Sequence, residues 1–202
     1  MSISFQQIHQ ISIDAAWYTQ PFKGFCLDSR KLEAGQIFIA LNSYSQPEKT
    51  RLFAENALNA GALAVISETD LGLANEWVCP EVRYLMGEWQ KQYLQAVDPV
   101  TTLRGIAVTG TNGKTTISRL IAELISSQGQ GCAIMGTTGN GILPNLTPST
   151  HTTLDALQLQ NALHDYAKQG AGFVALEASS HGLEQGRLRS EEHTSELQSH
   201  LM

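Results

Sequence analysis

Seven consecutive residues, Gly110-Thr111-Asn112-Gly113-Lys114-Thr115-Thr116, hold the densest potential for chemistry in the chain. Glycines let a backbone fold tightly and turn several N–H groups toward one point, which makes an anion-binding nest. A helix that begins directly after such a loop adds the positive end of its dipole. Lys114 then supplies a point charge for terminal phosphates, and Thr115 offers a hydroxyl to Mg²⁺. The general phosphate-loop pattern asks for a glycine five positions before Gly113, where Val108 stands, so the run is a variant of that loop. The plainer alternative is a glycine-containing turn, and the Lys-Thr pair at the expected helix start argues against it.

Glu177 closes the apolar run Phe173-Val174-Ala175-Leu176. A lone carboxylate at a strand end is ordinarily a solvated charge. Beside a phosphate loop it is a candidate for holding Mg²⁺, directly or through water. His181 follows four residues later; that spacing matches no zinc motif, and the histidine either orients Glu177 or is structural. Gly136, Gly139 and Gly141 form a second glycine cluster that does not spell a dinucleotide fingerprint. Cys26, Cys79 and Cys132 are odd in number and far apart, which points to free thiols in a reducing compartment.

The elements that must position these groups follow from periodicity. Strands are expected over 22–28, 36–41, 62–67, 82–86, 103–109, 132–135 and 173–177, and helices over 51–60, 88–97, 115–127 and 154–169. In the helix over 115–127, Ile117, Leu120, Ile121, Leu124 and Ile125 form one apolar face. Alternating strands and helices imply an α/β fold with a doubly wound, mostly parallel sheet. In such sheets ligands gather beyond the carboxyl ends of the strands, where both polar clusters sit. Asp98-Pro99 interrupts the rhythm and is taken as a domain boundary, giving units 1–98 and 99–188.

Residues 189–202 belong to neither unit. Arg189 to His200 has no apolar period and resembles the translation of a sequencing-library adapter, so a non-native tail is expected. The formal charge of −6 with scattered basic residues excludes nucleic-acid binding by bulk electrostatics. No basic-then-apolar leader and no long apolar stretch is present, so neither a signal peptide nor a membrane span is expected. A cytoplasmic location and a monomeric state are separate expectations.

Val108 to Thr116 resembles the ATP loop of the Mur ligase superfamily. Leu27-Asp28-Ser29-Arg30, Met135-Gly136-Thr137, Thr152-Thr153 and the run from Glu177 to Arg187 (EASSHGLEQGR) resemble its MurE branch. The resemblance spans roughly residues 20 to 188 in one collinear order. It implies a small N-terminal α/β domain for a UDP-sugar, followed by the front of a P-loop ATPase domain. It further implies ATP-dependent addition of a diamino acid, meso-diaminopimelate or L-lysine, to UDP-N-acetylmuramoyl-L-alanyl-D-glutamate in peptidoglycan synthesis. By the same resemblance Leu27 and Ser29 contact uridine, and Tyr44, Ser45 and Gln46 line the UDP site. His151, Thr152, Thr153, Ser179, Gln185 and Arg187 contact the muramoyl-dipeptide. Gly110 to Thr116 hold ATP, with Lys114 and Glu177 in catalytic positions and Thr115 and Glu177 serving Mg²⁺.

The sequence departs from the family after the strand QIFIAL, where Asn42-Ser43-Tyr44-Ser45-Gln46-Pro47-Glu48 replaces the usual G-x-x-x-D-G-H-like run. The family's carbamylated lysine, a later Mg²⁺-associated histidine and the pocket for the incoming amino acid lie downstream of the matching residues, so the 202-residue chain alone is expected to be inactive. The competing readings are a generic P-loop nucleotide-binding module and a sister ligase such as folylpolyglutamate synthetase. The LDSR segment and the EASSHGLEQGR run disfavour both.

Overall fold

The computed structural model describes residues 2–9, 13–43, 46–148 and 154–178. In chain order the elements are β1 (Ile3–Ser4), β2 (Pro21–Phe22), β3 (Phe25–Cys26), β4 (Ile37–Ala40), α1 (Pro47–Asn59), β5 (Ala64–Ser67), β6 (Glu76–Val78) and α2 (Val82–Val97). There follow β7 (Arg104–Val108), α3 (Lys114–Ser127), β8 (Cys132–Gly136), β9 (Gly139–Ile142), β10 (Asn145–Thr147), α4 (Ala156–Lys168) and β11 (Phe173–Glu177).

The first sheet is parallel, in the order β3-β4-β5-β6. Its central strands are buried at every position, and apolar at all but Ser67, because both faces are covered. Phe38, Ala40 and Val65 point to Ala54 and Ala57 of α1. Ile37, Ile39 and Ile66 point the other way, into a cluster with Val82, Met86 and Trp89 of α2. Phe5, fully buried, plugs that cluster from the N-terminal side, ringed by Trp17, Phe22, Phe25 and Trp89.

The second sheet has the order β10-β9-β8-β11-β7. Strands β8, β11 and β7 are parallel, and the antiparallel hairpin β9–β10 extends one edge. The period-two alternation of a strand divides its core between two helices. Cys132 and Ile134 meet Ala122, Ile121 and Ile125 of α3, whereas Ala133 and Met135 meet Leu159 and Leu163 of α4. Helices therefore cover both faces, which is the doubly wound arrangement expected from the sequence.

Several expected elements differ. Residues 82–86 are not a strand but the first turns of α2, because Val82, Met86, Trp89 and Gln90 make one continuous buried helical stripe. The single strand over 22–28 is two short ones, broken at Lys23-Gly24, where the Lys23 amide donates to the Gly35 carbonyl and the Gly24 carbonyl accepts from the Ile37 amide. Helix α1 begins at Pro47 rather than Arg51, since proline suits a helix's first turn. Of the second glycine cluster, Gly136 ends β8, and Gly139 and Gly141 lie on β9. The single apolar face expected on α3 is split: Ser118, Ile121, Ala122 and Ile125 turn to the sheet, while Ile117, Leu120 and Leu124 are exposed.

Candidate functional site

Strand β7 ends at the buried Val108, and α3 begins at Lys114. Gly110 to Gly113 make the crossing, so the loop lies between strand and helix as its glycines require. Gly113 is the N-cap of α3 with φ +80°, a backbone state that costs glycine little and other residues more. Thr111, Asn112 and Thr116 are exposed, while Lys114 and Thr115 are half-buried. The Lys114 ammonium donates to the Gly110 carbonyl at 2.6 Å, which folds the lysine back across the mouth of its own loop. Buried Ser118 donates to the Thr115 carbonyl at 3.1 Å and fixes the first helical turn.

Glu177 lies at the C-terminal end of β11, in register with Val108 on β7, so its carboxylate stands beside the start of the loop. It is only 3% exposed. The Thr137 amide donates to Glu177 Oε1 at 3.1 Å, and the Thr137 hydroxyl donates to the same oxygen at 3.1 Å. Thr115 Oγ1 lies 2.8 Å from Thr137 Oγ1, which links the helix start to the strand end. Gly136 makes this seat possible, because a Cβ there would fall 2.2 Å from Glu177 Oε1.

Among the described residues no cation pairs with this buried carboxylate, and an isolated buried charge is costly. A hydroxyl and a carboxylate form an all-oxygen donor set, which suits a Mg²⁺ ion that also takes phosphate oxygens and water. No group of three His, Cys, Asp or Glu side chains able to hold a metal occurs among the described residues. Thr137 was not singled out as a site residue by the sequence reading. Its signal was its position directly after β8, at the carboxyl edge of a parallel strand.

On the first sheet, Leu27 to Arg30 form a turn after β3. Asp28 takes a two-pronged contact from Arg30, 2.8 Å from Nε to Oδ1 and 2.8 Å from Nη2 to Oδ2, which leaves Ser29 at the turn's apex. The Arg30 guanidinium lowers the Asp28 carboxyl to about 2. Leu27 packs against the cluster that also contains Ala156 and Leu157 of α4, so this turn meets both halves of the described fold. Gln46 is exposed at the N-cap of α1. Just before it, the Asn42 carbonyl accepts from Arg83 at 2.8 Å, and Arg83 also pairs with Glu68. The candidate contacts Tyr44, Ser45, His151, Thr152, Thr153, Ser179, Gln185 and Arg187, together with His181 and the tail over 189–202, lie outside the described residues. A separate cleft of about 630 Å³ between the β9–β10 hairpin and the end of α4, lined by Asn140, Tyr166 and Gln169 among others, shares no residue with the loop.

Comparison with known proteins places this geometry. Residues 108–194 match the model of the Mur ligase middle domain. The chain is 40% identical over 173 residues to the UDP-N-acetylmuramoyl-L-alanyl-D-glutamate–2,6-diaminopimelate ligase of Vibrio cholerae, covering 81% of this chain and 34% of that protein. It is 38% identical over 172 residues to the ligase of the same name from Haemophilus influenzae, covering 81% of this chain and 35% of that protein. A solved structure of a ligase of that name is 80% identical with a TM-score of 0.90, covering 93% of this chain and 38% of that one. The chain thus spans about a third of the length of the curated relatives it matches. A phosphate-type loop between β7 and α3, a buried carboxylate on the adjoining strand and collinear identity to these ligases lead to one conclusion: the chain belongs to the Mur ligase family.

Proposed function

We propose that this chain is the front portion of an ATP-dependent ligase that adds 2,6-diaminopimelate to UDP-N-acetylmuramoyl-L-alanyl-D-glutamate in peptidoglycan synthesis. Residues 1–98 hold the UDP end of the substrate, and residues 99–188 supply the phosphate side of the ATP site. The observation that carries the reading is the Gly110–Thr116 loop at the start of α3, with the buried Glu177 carboxylate linked to Thr115 through Thr137. The relatives' shared name points to diaminopimelate rather than lysine. The protein works in the cytoplasm as a monomer, with no nucleic-acid or membrane partner; no described helix is long and apolar enough to cross a bilayer.

A free carboxylate is a poor acyl donor, so amide formation needs activation. The D-glutamyl carboxylate attacks the γ-phosphorus of ATP, the bond to the bridging oxygen breaks, and ADP leaves an acyl phosphate behind. The amine of diaminopimelate then attacks the acyl carbon, and inorganic phosphate departs from the tetrahedral intermediate. Phosphoryl transfer of this kind is governed by positioning and charge stabilisation. The loop amides and the N-terminus of α3 receive the phosphates. Lys114 leaves its contact with the Gly110 carbonyl to face the γ-phosphate. Thr115 and Glu177 would hold Mg²⁺, which would supply positive charge to the phosphates when bound. Leu27 and Ser29 orient the uridine, while Tyr44, Ser45 and Gln46 close the UDP site. His151, Thr152, Thr153, Ser179, Gln185 and Arg187 align the muramoyl-dipeptide, with the arginine pairing with an anionic group.

The test is mass-spectrometric detection of UDP-N-acetylmuramoyl-tripeptide from the UDP-linked dipeptide, ATP and meso-diaminopimelate. The protein assayed is the one whose reading frame carries this chain and continues past residue 188. Product is expected from that protein, none from the 202-residue chain, and a loss of about a hundredfold or more from Lys114→Ala, as for a single electrostatic donor. An inactive longer protein overturns the substrate assignment, and turnover by the 202-residue chain overturns the division of labour.

A further inference from the structure

We propose that Thr137 is a positioning residue of the phosphate site, a hydroxyl relay that seats the Glu177 carboxylate and turns the oxygen lone pairs of Thr115 toward a bound divalent cation. The inference rests on the Mg²⁺·ATP reading of this site and adds a residue and a direction to it.

The direction follows from counting protons. A carboxylate has none to give, so in the 3.1 Å contact between Thr137 Oγ1 and Glu177 Oε1 the threonine hydroxyl is the donor. That hydroxyl has a single proton. In the 2.8 Å contact between the two threonines, Thr115 must therefore donate and Thr137 must accept. The relay runs from the Thr115 hydroxyl through the Thr137 hydroxyl to Glu177. A hydroxyl that gives its proton inward presents its lone pairs outward, which is the orientation a metal-ligating threonine needs. Hydrogen-bonded orientation of a ligand is a general means of tuning metal affinity.

The seat is shaped by two consecutive residues at the end of β8. Thr137 supplies both donors to Oε1, its amide and its hydroxyl, each at 3.1 Å. Gly136 supplies the space, since a Cβ there would lie 2.2 Å from Oε1, 2.6 Å from Cδ and 2.7 Å from Cγ. With Glu177 almost wholly buried, the carboxylate has no slack to swing aside. Thr137 itself is exposed, so valine is accommodated there without repacking and removes only the hydroxyl.

The experiment measures ATP affinity of the 202-residue chain by calorimetric titration, once with saturating MgCl₂ and once in EDTA, alongside the thermal midpoint in EDTA. The wild type is expected to bind ATP roughly tenfold tighter with Mg²⁺. Thr137→Val and Gly136→Ala should reduce that ratio to about one, as expected from losing a hydrogen bond to a charged group, while Thr137→Ser retains it. Affinity in EDTA and the thermal midpoint of Thr137→Val should stay at wild-type values. A wild-type Mg²⁺ ratio in Thr137→Val overturns the relay. A fall in its thermal midpoint together with its EDTA affinity overturns it too, by showing a purely structural role. Wild-type binding of ATP without any Mg²⁺ effect removes the cation but leaves the phosphate nest. No ATP binding by the wild type under either condition overturns the nest reading and the relay with it.

Discussion

Lys168, at the end of α4, donates to Asp98 Oδ2, at the end of α2, across 2.6 Å, and the neighbouring His164 Nε2 lies 2.7 Å from the Asp98 carbonyl oxygen. These contacts close the far end of a helix pair that joins the two sheets. Deeper in the pair, Gln90 donates to Asn161 Oδ1 at 2.6 Å, and a Cβ on Gly87 would meet that of Ala156 at 3.3 Å. The ion pair is exposed and screened, whereas the glycine contact is close-packed.

The two kinds of contact should respond differently to substitution. Gly87→Val is expected to force α2 from α4 and destabilise the chain by about 1–3 kcal/mol, as overpacking does. Lys168→Ala should leave the urea midpoint nearly unchanged at neutral pH. Because Lys168 lowers the Asp98 carboxyl, its small contribution is present above the ordinary aspartate range and is lost as pH falls through the lowered value. Urea unfolding of both variants at two pH values checks this, and a large midpoint loss from Lys168→Ala alone would reverse the ranking.

Burial of His9 gives a second pH signature of the same sign, set in the histidine range rather than the carboxylate range. Its ring lies among Phe5, Trp77 and Trp89 with centroids 5.4, 5.0 and 5.3 Å away, and its Nε2 has no partner among the described residues. Burial lowers its pKa from the usual histidine value. Above that value the folded and unfolded forms are both neutral and stability is independent of this group. As pH falls below it, the unfolded chain takes up a proton that the folded form resists, so stability declines. His9→Phe should flatten the fall in urea midpoint between about pH 7 and 5. An unchanged slope in that variant would assign the acid sensitivity elsewhere.

Helix α3 carries an exposed apolar stripe of Ile117, Leu120 and Leu124, which are 48%, 57% and 66% exposed. Beside it β7 pairs with β11 alone among the described strands and forms an open edge. Exposed apolar patches and open strand edges both favour association. The paired change Leu120→Glu and Leu124→Lys should therefore raise the monodisperse fraction of the 202-residue chain in light scattering without lowering its thermal midpoint. A lowered midpoint would mean that these leucines support the fold itself.

The sequence by itself determined the features whose physics is local. Glycines before a Lys-Thr pair mark a strand-to-helix phosphate loop, because backbone freedom, helix dipole and point charge all act within a few residues. The strands QIFIAL, ALAVIS and FVALE were legible because strands covered on both faces read as continuous apolar runs. Tertiary structure decided what depends on partners distant in the chain. Residues 82–86 have a β-branched, strand-like start, yet they are helical because Val82 and Met86 share one buried stripe with Trp89 against the first sheet. The apolar residues of α3 show helical period, but only packing chose Ile121 and Ile125 for the sheet and left Leu120 and Leu124 outside. Thr137 carried in the sequence only the signal of its place directly after an apolar strand. It gained a place beside Glu177 and Thr115 only when β8 and β11 were paired in parallel, since hydrogen bonds act over about 3 Å and the chain separations that build this site are far longer.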